Sequence, residues 1–221
     1  MTRTEPKTIP AAAPGIITMR DNALRAVRIH VIGGHLDAAA LTVLSRLAQQ
    51  YGQGRVHLTT RQGVEIPGVP VESVTAVEAA LRAEGMRAGA TGPRVRTVTA
   101  CPGFDCKWSL IDTQKLARDL YARVEERILP HKFKIGVAGC PNACTKPVEN
   151  DFGVQGVSRV RLDKDLCNGC GACVRVCASP QTLRLKEDRI EYAPENCLSC
   201  GKCVRACPTG AWRTSECGYI V

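Results

Sequence analysis

Cys167-Asn-Gly-Cys170-Gly-Ala-Cys173-Val-Arg-Val-Cys177 and Cys197-Leu-Ser-Cys200-Gly-Lys-Cys203-Val-Arg-Ala-Cys207-Pro208 repeat one pattern, C-x2-C-x2-C-x3-C. Eight thiols so spaced suit two interlocked 4Fe–4S clusters, because each cluster takes four soft sulfur ligands and the fourth cysteine of each bacterial-type motif ligates the other cluster. The expected ligand sets are Cys167, Cys170 and Cys173 with Cys207, and Cys197, Cys200 and Cys203 with Cys177. Structural zinc would want isolated C-x2-C pairs at longer separations, a grouping this repeat does not offer. Ala178-Ser179 stands between Cys177 and Pro180, which alters a loop and not the ligation. Gly171 and Gly201 let the backbone wrap closely around each cluster. Such a module carries single electrons.

The remainder of the 221 residues is read around it. With 30 Lys plus Arg against 21 Asp plus Glu, the formal charge is +9. No apolar run approaches the roughly 18 residues that cross a bilayer. Residues 1–20, with Pro at 6, 10 and 14 and no apolar core of export-signal length, read as a flexible leader. Thirteen cysteines in such a chain fit a reducing, cytoplasmic setting and metal or redox use better than a disulfide framework. The basic excess, without a Lys/Arg-rich helix or interleaved aromatics, does not point to nucleic acid.

Arg25 to Ile32 alternates as a half-buried strand, and Leu36 to Tyr51 reads as a helix entered through Asp37. Arg55 to Ile66 returns to strand character, broken at Gly63 and Pro67, and Val71 to Ala83 is a second helix. That order predicts an α+β unit over 21–87. Past the Gly/Pro break at 88–93 a second α+β segment, 88–160, is predicted: strand (94–100), Cys101 and Cys106, helix (109–129), strand (132–138), Cys140 and Cys144, and a strand near 151–157. The cysteine repeat fills 161–212.

Cys101-Pro-Gly-Phe-Asp-Cys106 and Cys140-Pro-Asn-Ala-Cys144 each follow a strand, so four thiols on two strand ends can close a third tetrathiolate site; inert buried pairs are the alternative. Alternation places Lys132 and Lys134 on one face and Arg94 with Arg96 on another, while Arg61 shares a polar face with Thr59 and His57. Those cations read either as a solvated face or as a grip on a small oxyanion and an anionic cofactor.

Thr59-Thr-Arg-Gln-Gly-Val-Glu65, Arg96-Thr-Val98, Lys132-Phe-Lys134 and Gly139-Cys-Pro-Asn-Ala-Cys144 together resemble the sirohaem-dependent sulfite and nitrite reductases, most closely the anaerobic and dissimilatory sulfite reductases with an embedded ferredoxin module. The resemblance spans about residues 25 to 220. It implies a ferredoxin-like half-domain followed by a sirohaem and 4Fe–4S domain. It also implies that Cys101, Cys106, Cys140 and Cys144 hold a third 4Fe–4S cluster, with Cys144 bridging to sirohaem iron and Asn142 beside the cofactor. Arg61, Arg96, Lys132 and Lys134 match the cations around sirohaem and the bound anion. Sulfite would be reduced to sulfide by six electrons arriving from the ferredoxin clusters and an electron-donor protein.

Three further expectations accompany that resemblance. The first cysteine pair encloses four residues where the family usually has five, and residues 213–221 read as a truncated form of the strand that returns to the sirohaem fold. Larger members carry two copies of this unit, so a homodimer or a heteromer with a related subunit is expected. The alternatives are nitrite reduction at the same centre, or an iron–sulfur electron carrier without sirohaem. Cys217 reads as a passive buried thiol.

Overall fold

The computed structural model describes residues 13–125 and 127–221, so most of the leader segment lies outside the described residues. Its elements are β1 (Ile16–Thr18), β2 (Leu24–Ile29), α1 (Ala38–Tyr51), β3 (His57–Leu58), β4 (Val64–Pro70), α2 (Val74–Ala83), β5 (Thr99–Ala100), α3 (Thr113–Val124), β6 (Ile135–Ala138), β7 (Phe152–Leu162), α4 (Ala172–Val176), β8 (Leu183–Lys186), β9 (Arg189–Tyr192), α5 (Lys202–Ala206) and β10 (Trp212–Ile220). They divide into two compact units, one holding the residues up to Thr99 with Arg118–Ile135, the other Ala100–Ala117 with Gly136–Val221. This mixed α+β architecture is the predicted class.

In the first unit an antiparallel sheet of order β1-β2-β4-β3 buries its alternate residues Val27, Ile29, Val64 and Ile66 against Leu44, Leu47 and Ala48 of α1 and Val77 and Leu81 of α2. The Asp37 side chain caps α1 by accepting from the Ala40 amide at 2.7 Å, satisfying a donor that the first turn leaves open. Part of the segment read as a leader is ordered sheet: β1 pairs with β2, Ile16 opposite Val27, and Ile16 is buried. The stretch 55–66 is a hairpin and not one strand. Thr59–Gln62 forms its turn, Gln62 adopts a positive φ of 58°, and the Thr59 hydroxyl accepts from the Gly63 amide at 2.9 Å. Arg61 is therefore on a turn. Pro67 does not end β4, because a register shift between Arg25 and Val27 on β2 leaves Pro67 outside the paired positions, where its missing N–H costs nothing.

The second unit is built on the order β10-β7-β6-β5. The expected strand over 94–100 reduces to β5 preceded by single bridges, Arg94 to Ile128 and Val95 to Phe133 in the first unit. The expected helix over 109–129 narrows to α3, where the Asp112 carboxylate accepts from the Lys115 amide at 2.9 Å and fixes the start. β7 is longer than its sequence pattern suggests and pairs along its length with β10. Residues 213–221, read as the start of a return strand, lie almost wholly in β10. Cys217 is exposed, correcting its reading as a buried thiol: it sits on the outermost strand, opposite Ser158. A small antiparallel hairpin, β8 with β9, turns through Glu187 and Asp188, both at positive φ. No helix among the described residues is long and apolar enough to cross a membrane.

Leu47→Ala removes a fully buried side chain from the first core and is expected to cost about 2–5 kcal/mol, whereas Leu41→Ala, on the exposed face of the same helix, stays within about 0.5 kcal/mol. Urea unfolding followed by far-UV circular dichroism compares the two.

Candidate metal centres and anion cleft

The cysteine repeat folds as two like halves. Gly171 and Gly201, at φ 68° and 66°, occupy the left-handed region immediately before α4 and α5, a conformation that costs a side-chain-bearing residue about 1 kcal/mol or more. Each turns its C-x2-C-x2-C loop onto a five-residue helix that delivers the third thiol, Cys173 or Cys203, and leaves the fourth, Cys177 or Cys207, at its end.

The two halves interlock. Cys177, from the first motif, lines one cavity with Cys197, Cys200 and Cys203 of the second, walled by Val160, Leu183, Tyr192 and Trp212. That is the ligand set expected for one of the two clusters. Burial, with neighbouring Cys197 and Cys200, pushes the Cys203 thiol up to about 12; a thiol in such surroundings ionises readily only when a cation shares the cavity. Cys207 behaves oppositely. Burial tends to raise it, but donors from the Thr209 side chain and the Trp212, Thr209 and Ala211 backbone outweigh that and bring it to about 7. The Ser199 amide donates to the Cys197 sulfur at 3.4 Å. Trp212, packed edge-on against Tyr192 at 5.0 Å, is 2% exposed. Its indole N–H has no conventional acceptor and faces the Cys173 sulfur, favouring the thiolate there against the burial that raises that thiol. An orphaned buried donor among sulfurs is what a cluster-binding cavity provides and a dry core avoids.

Cys101, Cys106, Cys140 and Cys144 also come together, all within the second unit. Cys101 leaves β5 and Cys140 follows β6 after Gly139. The Gly139 amide donates to the Cys101 sulfur at 3.1 Å, and the Cys101 backbone is clamped by Thr113 and Gln114, whose side chains donate to its carbonyl at 2.7 and 2.9 Å. Burial raises the Cys140 thiol, the Asn142 backbone donor lowers it, and nearby Cys144, Cys101 and Cys106 raise it again. Asn142 therefore acts through its amide, while its side chain is exposed. A Cβ on Gly139 would collide with Ser109 Oγ and press on the Cys101 sulfur at 3.2 Å, so this glycine keeps the two loops close. Among the described residues no three His, Cys, Asp or Glu side chains converge on a point as around one ion. Cys144, Cys101 and Cys106 are close enough to Cys140 to act on its thiol, and four soft sulfurs are the donor set of a cubane.

In the first unit, an open cleft is lined by Arg28, Thr59, Arg61, Arg96, Lys132 and Lys134. Arg61 reaches in from the hairpin turn and donates to the Ile135 carbonyl at 3.3 Å. Arg96 donates to the Ala90 carbonyl, yet its Nε is buried without a partner. Burial, then Arg28 and Arg94, lower its pKa. Arg28 is a cation that sequence reasoning misses: on β2 it looks like any outward residue, and only its cross-strand bond to Glu65, at 2.7 Å, reveals that it is held in place. Thr59, noted only as a neighbour of Arg61, joins the lining. His57 is exposed on β3.

Comparisons with known proteins agree on the kind of chain this is. Residues 17–84 match the nitrite/sulfite reductase ferredoxin-like half domain, 91–182 the nitrite and sulphite reductase 4Fe-4S domain, and 159–208 a 4Fe-4S dicluster domain. One subunit of the anaerobic sulfite reductase of Salmonella typhimurium is 38% identical over 214 residues, covering 88% of this chain and 62% of that protein. Coenzyme F420-dependent sulfite reductase of Methanocaldococcus jannaschii is 37% identical over 146 residues, 66% of this chain and 23% of that protein. Each of these relatives is thus longer than the stretch this chain spans. The crystal structure of dissimilatory sulfite reductase I shares the fold, with a TM-score of 0.71 over 89% of this chain and 53% of that one, at 19% identity.

Replacing Trp212 by Phe keeps the packing and removes the N–H that faces Cys173. A lost hydrogen bond of about 1 kcal/mol corresponds to a one-electron potential on the order of 40 mV more negative. An EPR-monitored redox titration is expected to show that shift in one cluster.

Proposed function

Because this chain belongs to the nitrite and sulfite reductase family, with its ferredoxin-like half domain, its 4Fe-4S domain and a dicluster module, we propose that it is a sulfite reductase subunit that takes sulfite to sulfide by six electrons. Residues 21–87 and 88–160 form the half-domain and the sirohaem and 4Fe–4S domain, 161–212 the two-cluster ferredoxin module, and 213–221 the return strand. Three 4Fe–4S clusters are held by the three sets of four cysteines. Cys144, which is exposed, would be the cysteine that faces sirohaem when it is bound.

The observation that carries this reading is the convergence of Arg28, Arg61, Arg96, Lys132 and Lys134 on one cleft. Cations brought together from β2, a hairpin turn and two further segments repel one another, and the depressed pKa of Arg96 registers that cost together with its burial. A bound anion offsets it. Sirohaem, when bound, would supply the iron that coordinates the substrate and passes it electrons. The protein's own part is electrostatic and positional. Arginine forks orient oxyanion and carboxylate oxygens, and the lysine ammonium groups neutralise negative charge and carry protons toward departing oxygens. The family description names nitrite beside sulfite, and nitrite, also a small oxyanion, is the second reading. That the Salmonella relative is named as a subunit supports assembly into a heteromer served by an electron-donor protein.

Full-length chain purified anaerobically from a sirohaem-producing host is expected to contain about twelve iron atoms, as three cubanes require, to show sirohaem absorption bands, and to turn over sulfite faster than nitrite with reduced methyl viologen. Lys134→Ala is expected to lower kcat/KM for sulfite by about 10²–10³-fold with iron content unchanged. Iron for two cubanes only, without tetrapyrrole bands, would leave an electron carrier in place of an enzyme.

A further inference from the structure

β7 runs against the loops that carry both groups of thiols. Its inward residues Val154, Gly156, Ser158 and Val160 are all buried. At Gly156 the backbone lies so close to the Gly139 carbonyl, beside Cys140, that a Cβ would collide with it. Two residues on, the Ser158 amide donates to the Ser199 carbonyl at 2.7 Å, inside the Cys197–Cys200 loop. Two further on, Val160 lines the cavity of Cys177, Cys197, Cys200 and Cys203. Successive inward residues of a strand are separated by about 7 Å, so one short stretch of backbone spans from the inner thiols to the second motif.

Two more bridges lead to the same place. Trp108, two residues past Cys106, lies under the Arg205 guanidinium at 5.0 Å, on α5 between Cys203 and Cys207. Leu110 Cδ2 stands 3.7 Å from where a Cβ of Gly201 would be. The loop of the first motif packs elsewhere: Gly169 lies against the Asp188 carbonyl at the β8–β9 turn, Gly171 faces Leu185 of β8, and Cys170 is exposed.

We propose that the cluster of Cys177, Cys197, Cys200 and Cys203 hands electrons to the cluster of Cys101, Cys106, Cys140 and Cys144, with Trp108, Leu110 and Ser158 as the positioning residues that fix the gap, and that the cluster of Cys167, Cys170, Cys173 and Cys207 is the outer one. This deepens the three-cluster reading and rests on it. In each hand-off one electron leaves the reduced second-motif cubane, which returns from a 1+ to a 2+ core, while the inner cubane goes from 2+ to 1+. No bond forms or breaks, no proton moves, and the electron originates from an external one-electron reductant.

The test uses the full chain with its clusters, mixed with reduced methyl viologen, freeze-quenched and followed by EPR. Trp108→Leu combined with Leu110→Ala is expected to slow reduction of the inner cluster several-fold while all midpoint potentials and the reduction rates of the other clusters stay put. Trp108→Phe should restore most of the rate, and Leu185→Ala, beside the first motif, should leave it unchanged. Wild-type protein gives a second measurement: the inner cluster's signal should relax faster when the second-motif cluster is reduced. An unslowed inner cluster, equal slowing by Leu185→Ala, or no relaxation enhancement overturns the hand-off alone. Iron for only two cubanes overturns the three-cluster reading, and the hand-off with it.

Discussion

A cubane cluster accepts its four thiolates only at fixed corners, and the backbone has to hold those corners before any iron can be shared among them. Here the candidate thiols are placed by the ends of regular elements. Cys101 and Cys140 emerge at the ends of β5 and β6, and Cys177 and Cys207 where α4 and α5 stop. A strand or helix end is rigid on one side and free on the other, so it fixes the sulfur while leaving the loop to close. The arrangement is electrostatically uncomfortable without metal: burial first, and then the neighbouring thiols, raise the pKa of Cys203 and of Cys140. Ferric and ferrous iron reverse that preference by charge, which couples the ordering of these loops to cluster loading.

The first unit meets the converse constraint, with cations in place of thiols. Arg28 has a carboxylate bonded across the sheet, that of Glu65, while Arg61 and Arg96 are steered by backbone carbonyls. A carbonyl orients a guanidinium without cancelling its charge, so the contact from Ala90 leaves the positive charge of Arg96 for a ligand.

Much of this is legible in the sequence, for reasons that differ by residue. The eight cysteines of 167–207 carry their chemistry in their spacing, and α1 announces itself by Asp37 and the spacing of Leu44, Leu47 and Ala48. Arg61 is found by resemblance but misplaced on a strand, because a two-residue β3 and a left-handed Gln62 leave no periodic trace. Arg28 escapes because an arginine between buried Val27 and Ile29 reads as solvent-facing until Glu65 is placed beside it. The β8–β9 hairpin escapes too, since Glu187 and Asp188 are poor advertisements for a tight turn that needs positive φ at both positions. Cys217 misleads because burial of an edge strand depends on what lies beyond it, which a local pattern does not contain.

The inward face of β7 shows how one strand can satisfy two unlike demands. Where it passes the inner loops it presents Gly156, since any side chain would strike the Gly139 carbonyl that follows β6. Where it passes the second motif it presents Ser158, small enough to lie beneath Gly201 and polar enough for its hydroxyl to meet Thr214 at 3.4 Å. Beyond, it presents Val160, apolar and bulky, as a wall of the cavity of Cys177, Cys197, Cys200 and Cys203. Size grows along the face from nothing to a branched side chain, so close approach at one end turns into enclosure at the other. Strand alternation makes this possible with every second residue. The intervening Val157 and Arg159 remain free to meet the opposite side, so the spacing between two groups of thiols is set by backbone geometry and not by the flexibility of any loop.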